Sequence, residues 1–297
     1  MFPSYIQLYK EGRLDSLKDE LVGALEQCEL CPRRCRVNRL EGEKGFCQTG
    51  RYALVSSIGA HFGEEQPLVG KGGSGTIFFT YCNLHCVYCQ NYSISQLGEG
   101  EEVKPEVLAK MMLYLQKIGC ENINFVTPTH VLAQIIEALP LAIEQGLCLP
   151  LVYNSGGYDN LETLRKIEGV FDIYMPDAKY ASPEKGERYS SARDYWEICK
   201  QALKEMHRQK GVLWINERGI AQYGLLIRHL VLPGNTSDSF LILDFIAQEL
   251  SPHSYVNVMA QYRPCFRAVN YPEINRLPTY KEYIEVKEYA NRLGLRG

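Results

Sequence analysis

Apolar and polar positions follow two rhythms along the chain. Leu14, Leu17, Leu21, Val22 and Leu25 recur at the spacing of one helix face and predict a helix over residues 14–27. A stretch rich in Gly, Arg and Cys follows and reads as loop, and residues 52–57 read as a strand. Gly70, Gly72, Gly73 and Gly75 mark a flexible approach to a new unit, which places a junction between Gly50 and Gly75. Beyond it, short unbroken apolar runs are each followed by polar turn residues and a helical segment. The strand candidates are residues 76–80, 122–126, 149–153, 171–175, 225–232 and 255–259. The intervening helices cover roughly 105–118, 131–143, 161–167, 195–209 and 239–250. Pro105 suits a first helical position. Thr279 with Glu282 is a capping box for a last helix that ends near Gly294.

This alternation implies an α/β fold with a parallel sheet and right-handed crossovers. Unbroken apolar runs suit strands covered on both faces. The βα units fall short of the eight of a closed barrel, so an open sheet or partial barrel is expected. The division expected is an N-terminal helix and cysteine-rich segment over 1–60, then a barrel with a C-terminal helix over 61–297. In such architectures the chemistry collects at the carboxyl ends of the strands. Several candidates here end in polar or conformationally special residues: Thr127-Pro128-Thr129-His130, Asn154-Ser155-Gly156-Gly157 and Asp177-Ala178-Lys179 among them.

Composition narrows the class. The chain is 45% hydrophobic and 23% charged, which is ordinary for a globular protein. A net charge of -3 offers no overall basic footprint, so nucleic acid is not an expected partner. No apolar run reaches the ~18 residues that span a bilayer. The N-terminal MFPSYIQLYKEGR shows neither a secretory core nor an Arg-rich transit pattern, and the cytoplasm is the expected location. In that reducing setting the 11 cysteines are not expected to form a disulfide framework. Two tight groups hold most of them: Cys28, Cys31, Cys35 and Cys47, then Cys82, Cys86 and Cys89. Cys120 and Cys148 stand in apolar surroundings and are expected to be small buried hydrophobes.

Cys82-x3-Cys86-x2-Cys89 directly follows a predicted strand. Three thiolates on one loop can hold three irons of a 4Fe-4S cluster and leave the fourth iron open to another ligand. Zinc, with His85 or a distant residue as fourth ligand, fits the spacing alone equally well. The surrounding sequence FFTYCNLHCVYCQNYSIS resembles the cluster loop of the radical S-adenosylmethionine (SAM) superfamily, including an aromatic residue, Tyr88, before the third cysteine. The resemblance covers about Gly59 to Pro264. Cys28-x2-Cys31-Pro-Arg-x-Cys35, ahead of that span, and Gly73–Phe79 together resemble an uncharacterised group similar to pyruvate formate-lyase activating enzyme.

The resemblance implies a partial (β/α)6 barrel with an N-terminal cysteine-rich extension. It also implies a 4Fe-4S cluster at Cys82, Cys86 and Cys89 with SAM on the open iron. One electron, from a donor of the flavodoxin or ferredoxin type, would cleave SAM to a 5′-deoxyadenosyl radical that abstracts hydrogen. Tyr88 would lie against the adenine. Thr127 and Thr129 occupy the place of the family's Gly-Gly-Glu segment, so the Glu is missing and backbone or hydroxyl groups would serve the methionine amino group. Asn154 and Ser155 stand where activating enzymes begin Asp-Thr, whereas their Asp-x-Lys is intact as Asp177 and Lys179. Lys179 and Arg228 would face the methionine carboxylate or the ribose. The activating-enzyme reading makes a protein glycine the hydrogen donor. RNA or a small metabolite is the alternative substrate, and a non-catalytic zinc protein the alternative of a different kind.

Cys28-x2-Cys31-x3-Cys35-x11-Cys47 supplies four thiolates, enough for a closed site holding zinc or a second 4Fe-4S cluster. Arg33, Arg34, Arg36 and Arg39 lie among them; such cations stabilise an anionic thiolate site, bind phosphate, or are simply solvated loop charge. His61, Glu64 and Glu65, just before the Gly-rich run, either line the active site and pair with its cations or belong to a solvated loop.

Overall fold

The computed structural model describes residues 3–297. The chain opens with helices α1 (Ser4–Lys10) and α2 (Arg13–Gly23), then runs through the cysteine-rich loop to strand β1 (Ala53–His61). It continues through α3 (Gln66–Val69), β2 (Ser74–Phe79), α4 (Tyr92–Ser95), β3 (Glu101–Val103) and α5 (Pro105–Lys117). Next come β4 (Ile123–Val126), α6 (Leu132–Glu144), β5 (Leu151–Ser155), α7 (Leu161–Lys166) and β6 (Ile173–Pro176). After these lie α8 (Pro183–Ser190), α9 (Tyr195–Lys210), β7 (Trp214–Ile215) and β8 (Ala221–Leu230). The chain ends with α10 (Ser239–Phe245), β9 (Tyr255–Met259) and α11 (Tyr280–Arg292).

The strands form one nine-stranded, mostly parallel sheet. Its parallel run is β2-β4-β5-β6-β8-β9, with register pairs such as Val126 beside Asn154 and Asn154 beside Met175. These are the six runs expected from the unbroken apolar pattern. Among the described residues no pairing joins β9 back to the other end, so the sheet is open. Helices α5 and α6 pack on each other, α2 lies on α6, and α9 covers β6 and β8. One continuous core results, in which Leu14, Leu17 and Leu21 of α2 share a cluster with Ile135 and Leu139 of α6 and with Ile77 and Phe125 of the sheet. Burying each such side chain contributes on the order of 1.5–3 kcal/mol.

Three strands outside the parallel run are antiparallel. β1 pairs with β2 and β3, and β7 pairs with β8. β1 runs across residues 60–61, so this pairing ties the segment before the Gly-rich run to the first strand of the parallel set. β3 escapes an apolar pattern because it reads Glu-Glu-Val, and β7 because it has two residues. α8, PEKGERYS, shows almost no apolar face yet buries Tyr189 against the cysteine loop. The predicted helix 239–250 ends at Phe245 as α-helix and continues to Leu250 as a π-turn. The capping box at Thr279 and Glu282 is present. Cys120 is buried as expected, but Cys148 is exposed. Cys148 lies between α6 and β5, after the left-handed Gly146, where the chain turns along the surface.

Candidate active site at the carboxyl ends of the strands

The parallel strands end around a cavity of about 340 Å³. The loop after β2 contributes Cys82, Cys86 and Cys89 to its wall. The β4 end contributes Thr127, the β5 end Asn154 and Ser155, the β6 end Asp177 and Lys179, and β8 Arg228. His61 at the end of β1 and Glu64 in the turn that follows also line it. Two residues at the strand ends sit at left-handed backbone positions despite carrying side chains: Thr127 of the cavity wall at φ 64°, and Tyr81, just before Cys82, at φ 68°. Such strain is tolerated where the surroundings fix the chain, and here it turns the backbone sharply off β4 and β2.

The cysteine loop is pinned from both sides. Val87 N–H donates to Tyr189 O of α8 at 2.9 Å, and Arg267 N–H donates to Val87 O at 2.8 Å. Cys86 Sγ lies 3.0 Å from Ser190 Oγ, and Cys89 Sγ lies 3.1 Å from Ser95 Oγ. Leu84 N–H donates to Cys82 Sγ at 3.3 Å. Burial pushes the thiols of Cys82 and Cys89 up. His85, the candidate fourth zinc ligand, faces a neighbouring cleft and stacks on Phe46 with ring centroids 3.9 Å apart. Among the described residues, no three Cys, His, Asp or Glu side chains converge on one ion position. Three thiols on one wall, with no fourth protein ligand beside them, fit a 4Fe-4S cluster whose thiolates attach to different irons and whose fourth iron is open.

A charged network lines the same cavity. Lys179 Nζ is 2.6 Å from Asp177 Oδ2, and Arg228 Nε donates to Asp177 Oδ1 at 2.8 Å. Arg228 Nη2 donates to Asn154 Oδ1 at 2.7 Å, and Nη1 lies 3.6 Å from Glu64 Oε1. Burial pushes the Asp177 carboxyl up, but Arg228 and Lys179 more than reverse this and hold it below its ordinary value. Burial pulls the Lys179 ammonium down; Asp177 and Cys86 oppose it, and the balance is upward. Arg228 is thus committed to two carboxylates and an amide, whereas Lys179 has one carboxylate partner. Glu64 is part of this network, the active-site reading rather than the solvated one. Glu65 bonds Asn257 of β9.

Not every expected residue reaches the cavity. Tyr88 is 6% exposed, hydrogen-bonds Tyr180 and packs edge-on to Tyr262, so its ring belongs to the aromatic core under the loop. Thr129 turns inward and donates to Asp159 Oδ1 at 2.7 Å. The motif alone did not point to Asp159. It is 1% exposed and also accepts from Tyr153 at 2.9 Å and Ser155 at 2.6 Å, which ties the β4 and β5 ends together. Burial pushes its carboxyl up. Gly157 is required beside it: at φ 76°, an added Cβ would lie 2.1 Å from Asp177 O.

The four N-terminal cysteines line a second, small cavity together with Arg39 and His130. Arg33 joins the two cysteine regions: Nε donates to Asn83 O at 2.9 Å, Nη1 donates to Ser191 O at 2.6 Å, and its guanidinium lies 3.8 Å from the Phe46 ring centroid.

Residues 76–245 match the family described as the radical SAM superfamily. The protein MJ0674 of Methanocaldococcus jannaschii is 35% identical over 97% of this chain and 81% of its own length. MJ0808 of the same organism is 23% identical over 88% of this chain and 76% of its own length. A solved structure described as native anSMEcpe with bound AdoMet has a TM-score of 0.46 at 11% identity, covering 72% of this chain and 57% of that one. The chain belongs to the radical SAM superfamily. That membership makes it an enzyme whose family cofactors are a 4Fe-4S cluster and SAM. No helix among the described residues is long and apolar enough to cross a membrane.

Proposed function

We propose that this cavity takes SAM against a cluster held by Cys82, Cys86 and Cys89, and that the protein abstracts a hydrogen atom from a glycine of a partner protein, as glycyl-radical activating enzymes do. One observation carries the reading: the three motif thiols and the intact Asp177–Lys179 pair line one and the same cavity. The open parallel sheet is read as the partial six-unit barrel of that family. When bound, the cluster and SAM supply one-electron cleavage of a sulfonium and a carbon-centred hydrogen abstractor.

The chain's own residues have separate tasks in this scheme. Lys179 holds the methionine carboxylate, with Asp177 keeping the ammonium charged and aimed. Arg228 does not serve the cofactor directly; clamped by Asp177, Glu64 and Asn154, it fixes the positions of the strand ends around it. Asn154 Oδ1 accepts from this guanidinium, so Asn154 acts with Arg228 in holding the β5 and β8 ends together. Phe79, Leu84 and Ile94 supply the apolar part of the wall and exclude water and competing hydrogen donors. A one-electron donor of the flavodoxin or ferredoxin type completes the reaction.

The test is anaerobic reconstitution with iron and sulfide, followed by dithionite and SAM. The expected result is 5′-deoxyadenosine from the wild type and none from Cys86→Ala. Deuterium carried from a labelled partner glycine into that product supports the activating-enzyme reading; cleavage without transfer from any protein refutes it.

A further inference from the structure

Arg39 is the most deeply buried charged side chain in the cysteine-rich region, at 1% exposure, and it has no carboxylate partner among the described residues. Its Nε donates to Gly50 O at 3.0 Å, and its Nη1 donates to His130 O at 2.9 Å and lies 3.7 Å from Cys28 Sγ. Its Nη2 is buried with no hydrogen-bond partner among the described residues. A buried guanidinium without a counter-ion is strongly disfavoured, so a negative charge is required beside it. The cavity it lines contains no Asp or Glu; it contains Cys28, Cys31, Cys35 and Cys47.

The local backbone is shaped around these sulfurs. Cys28, Cys31 and Cys47 are 9%, 8% and 8% exposed. Phe46 N–H points at Cys35 Sγ from 3.4 Å. Arg34, Arg36 and Gln48, flanking Cys35 and Cys47, all take left-handed conformations at φ 42°, 57° and 53°. Gly45 admits no side chain, because a Cβ there would lie 2.7 Å from Cys35 Sγ.

The structure assigns to Cys28, Cys31, Cys35 and Cys47, which line one cavity although their sulfurs do not converge on a single ion position as the side chains stand, a closed tetrathiolate metal centre, formed as the thiols turn onto the metal, whose negative charge is the counter-ion of Arg39. Four thiols lose four protons on binding, and four thiolates around Zn²⁺ or around a 4Fe-4S core of charge 2+ both leave a dianion. Arg39 Nη1, which lies 3.7 Å from Cys28 Sγ, then faces a thiolate, and the pair lowers the cost of keeping each charge out of water. The centre is tied to the radical motif: Arg39 holds His130 O, and His130 Nε2–H donates to Thr80 O at 2.8 Å, two residues before Cys82. All four coordination positions are filled by protein, so this centre does not bind SAM.

The assignment is independent of the proposed reaction and is tested without it. In the full chain, the variant Cys82→Ala/Cys86→Ala/Cys89→Ala removes the motif cysteines. Reconstituted anaerobically with iron and sulfide, and separately with zinc, it is expected to retain about four iron or about one zinc per chain. Added SAM should leave its absorption spectrum unchanged, and a further Cys47→Ala should abolish retention. Iron absorption or colourless zinc identifies which metal supplies the centre, and either supports the assignment. Arg39→Met, placed on this background, should lower affinity about 10–100-fold in competition with a chelator, and Arg39→Lys should fall between it and the parent. A natively folded triple variant, checked by circular dichroism, that retains neither metal overturns the assignment. So does an Arg39→Met variant that folds and holds metal as tightly as its parent.

Discussion

His229 offers a quantitative test of how the strand ends are held. It lies in β8 beside Arg228, is fully buried, and has its Nδ1 2.7 Å from Ala178 O, between Asp177 and Lys179. A carbonyl only accepts, so Nδ1 carries the proton and Nε2 accepts from Ser239 Oγ at 2.8 Å. Burial is the main reason its pKa falls from 6.5 to about 4; the Ala178 hydrogen bond and the charges of Asp177 and Asp238 oppose the fall, and Lys179 adds to it. The unfolded chain therefore binds a proton between pH 6.5 and 4 that the folded chain refuses. The stability associated with neutral His229 is complete above pH 6.5 and is lost as pH falls, by about 2 kcal/mol at pH 5 and about 3 kcal/mol at pH 4. His229→Asn keeps a donor for Ala178 O and cannot titrate. Urea unfolding under reducing, anaerobic conditions at pH 7 and pH 5 should show the wild type losing about 2 kcal/mol more than His229→Asn across that interval. Other titrating groups, including buried His130, are common to both proteins and cancel in the difference. Parallel pH dependences for the two proteins would refute the claim that burial holds this imidazole neutral.

Other substitutions separate binding, positioning and stability. Lys179→Met should raise the KM for SAM by about 10–100-fold with iron content unchanged, because it deletes one charge-assisted contact and no sulfur ligand; a KM within twofold of wild type counts against that contact. Asp159→Ala should cost about 3 kcal/mol or more in urea unfolding, since Thr129, Tyr153 and Ser155 lose one shared buried acceptor. Thr279→Ala should cost only about 1 kcal/mol by the same measure, the value of one helix cap remote from the cavity, with no change in SAM cleavage.

The sheet was legible because most of its parallel strands are buried on both faces, and largely apolar runs report that directly: Leu151–Ser155 is buried at every position and overlaps the run read at 149–153. β1 reads as strand over residues 52–57 and extends on to His61, whereas the pattern misses β3 and β7, since short antiparallel edges tolerate polar residues and need only a few backbone pairings. Within the site, local features were readable and long-range ones were not. The cysteine spacing and the Asp177-x-Lys179 pair are local, and the structure brings them to one cavity. Glu64 lies far from Arg228 in sequence, and whether it was solvated or paired depended on the fold that brings them together. Tyr88 and Thr129 had the right position along the chain, but side-chain direction is set by neighbours such as Tyr180 and Asp159 that the motif does not contain.

The four arginines among the N-terminal cysteines show the limit most clearly. As sequence they are equivalent: long cations in a loop. In the fold, Arg34 and Arg36 are exposed, and Arg36 pairs with Glu29 at the surface. An exposed pair of this kind contributes little. Arg33 clamps carbonyls of the motif loop and of the turn after α8. Arg39 alone is fully enclosed, because Gly50 and His130 close over it. Charge type thus predicts nothing about role here; the cost of removing a charge from water does, and that cost is decided by which backbone arrives from 11 and 91 residues away. The same reasoning orders the effects of removing each arginine. Neutralising Arg34 or Arg36 changes solvated charge, neutralising Arg33 loosens the contact between the two cysteine regions, and neutralising Arg39 takes a buried cation from a cavity walled by thiols.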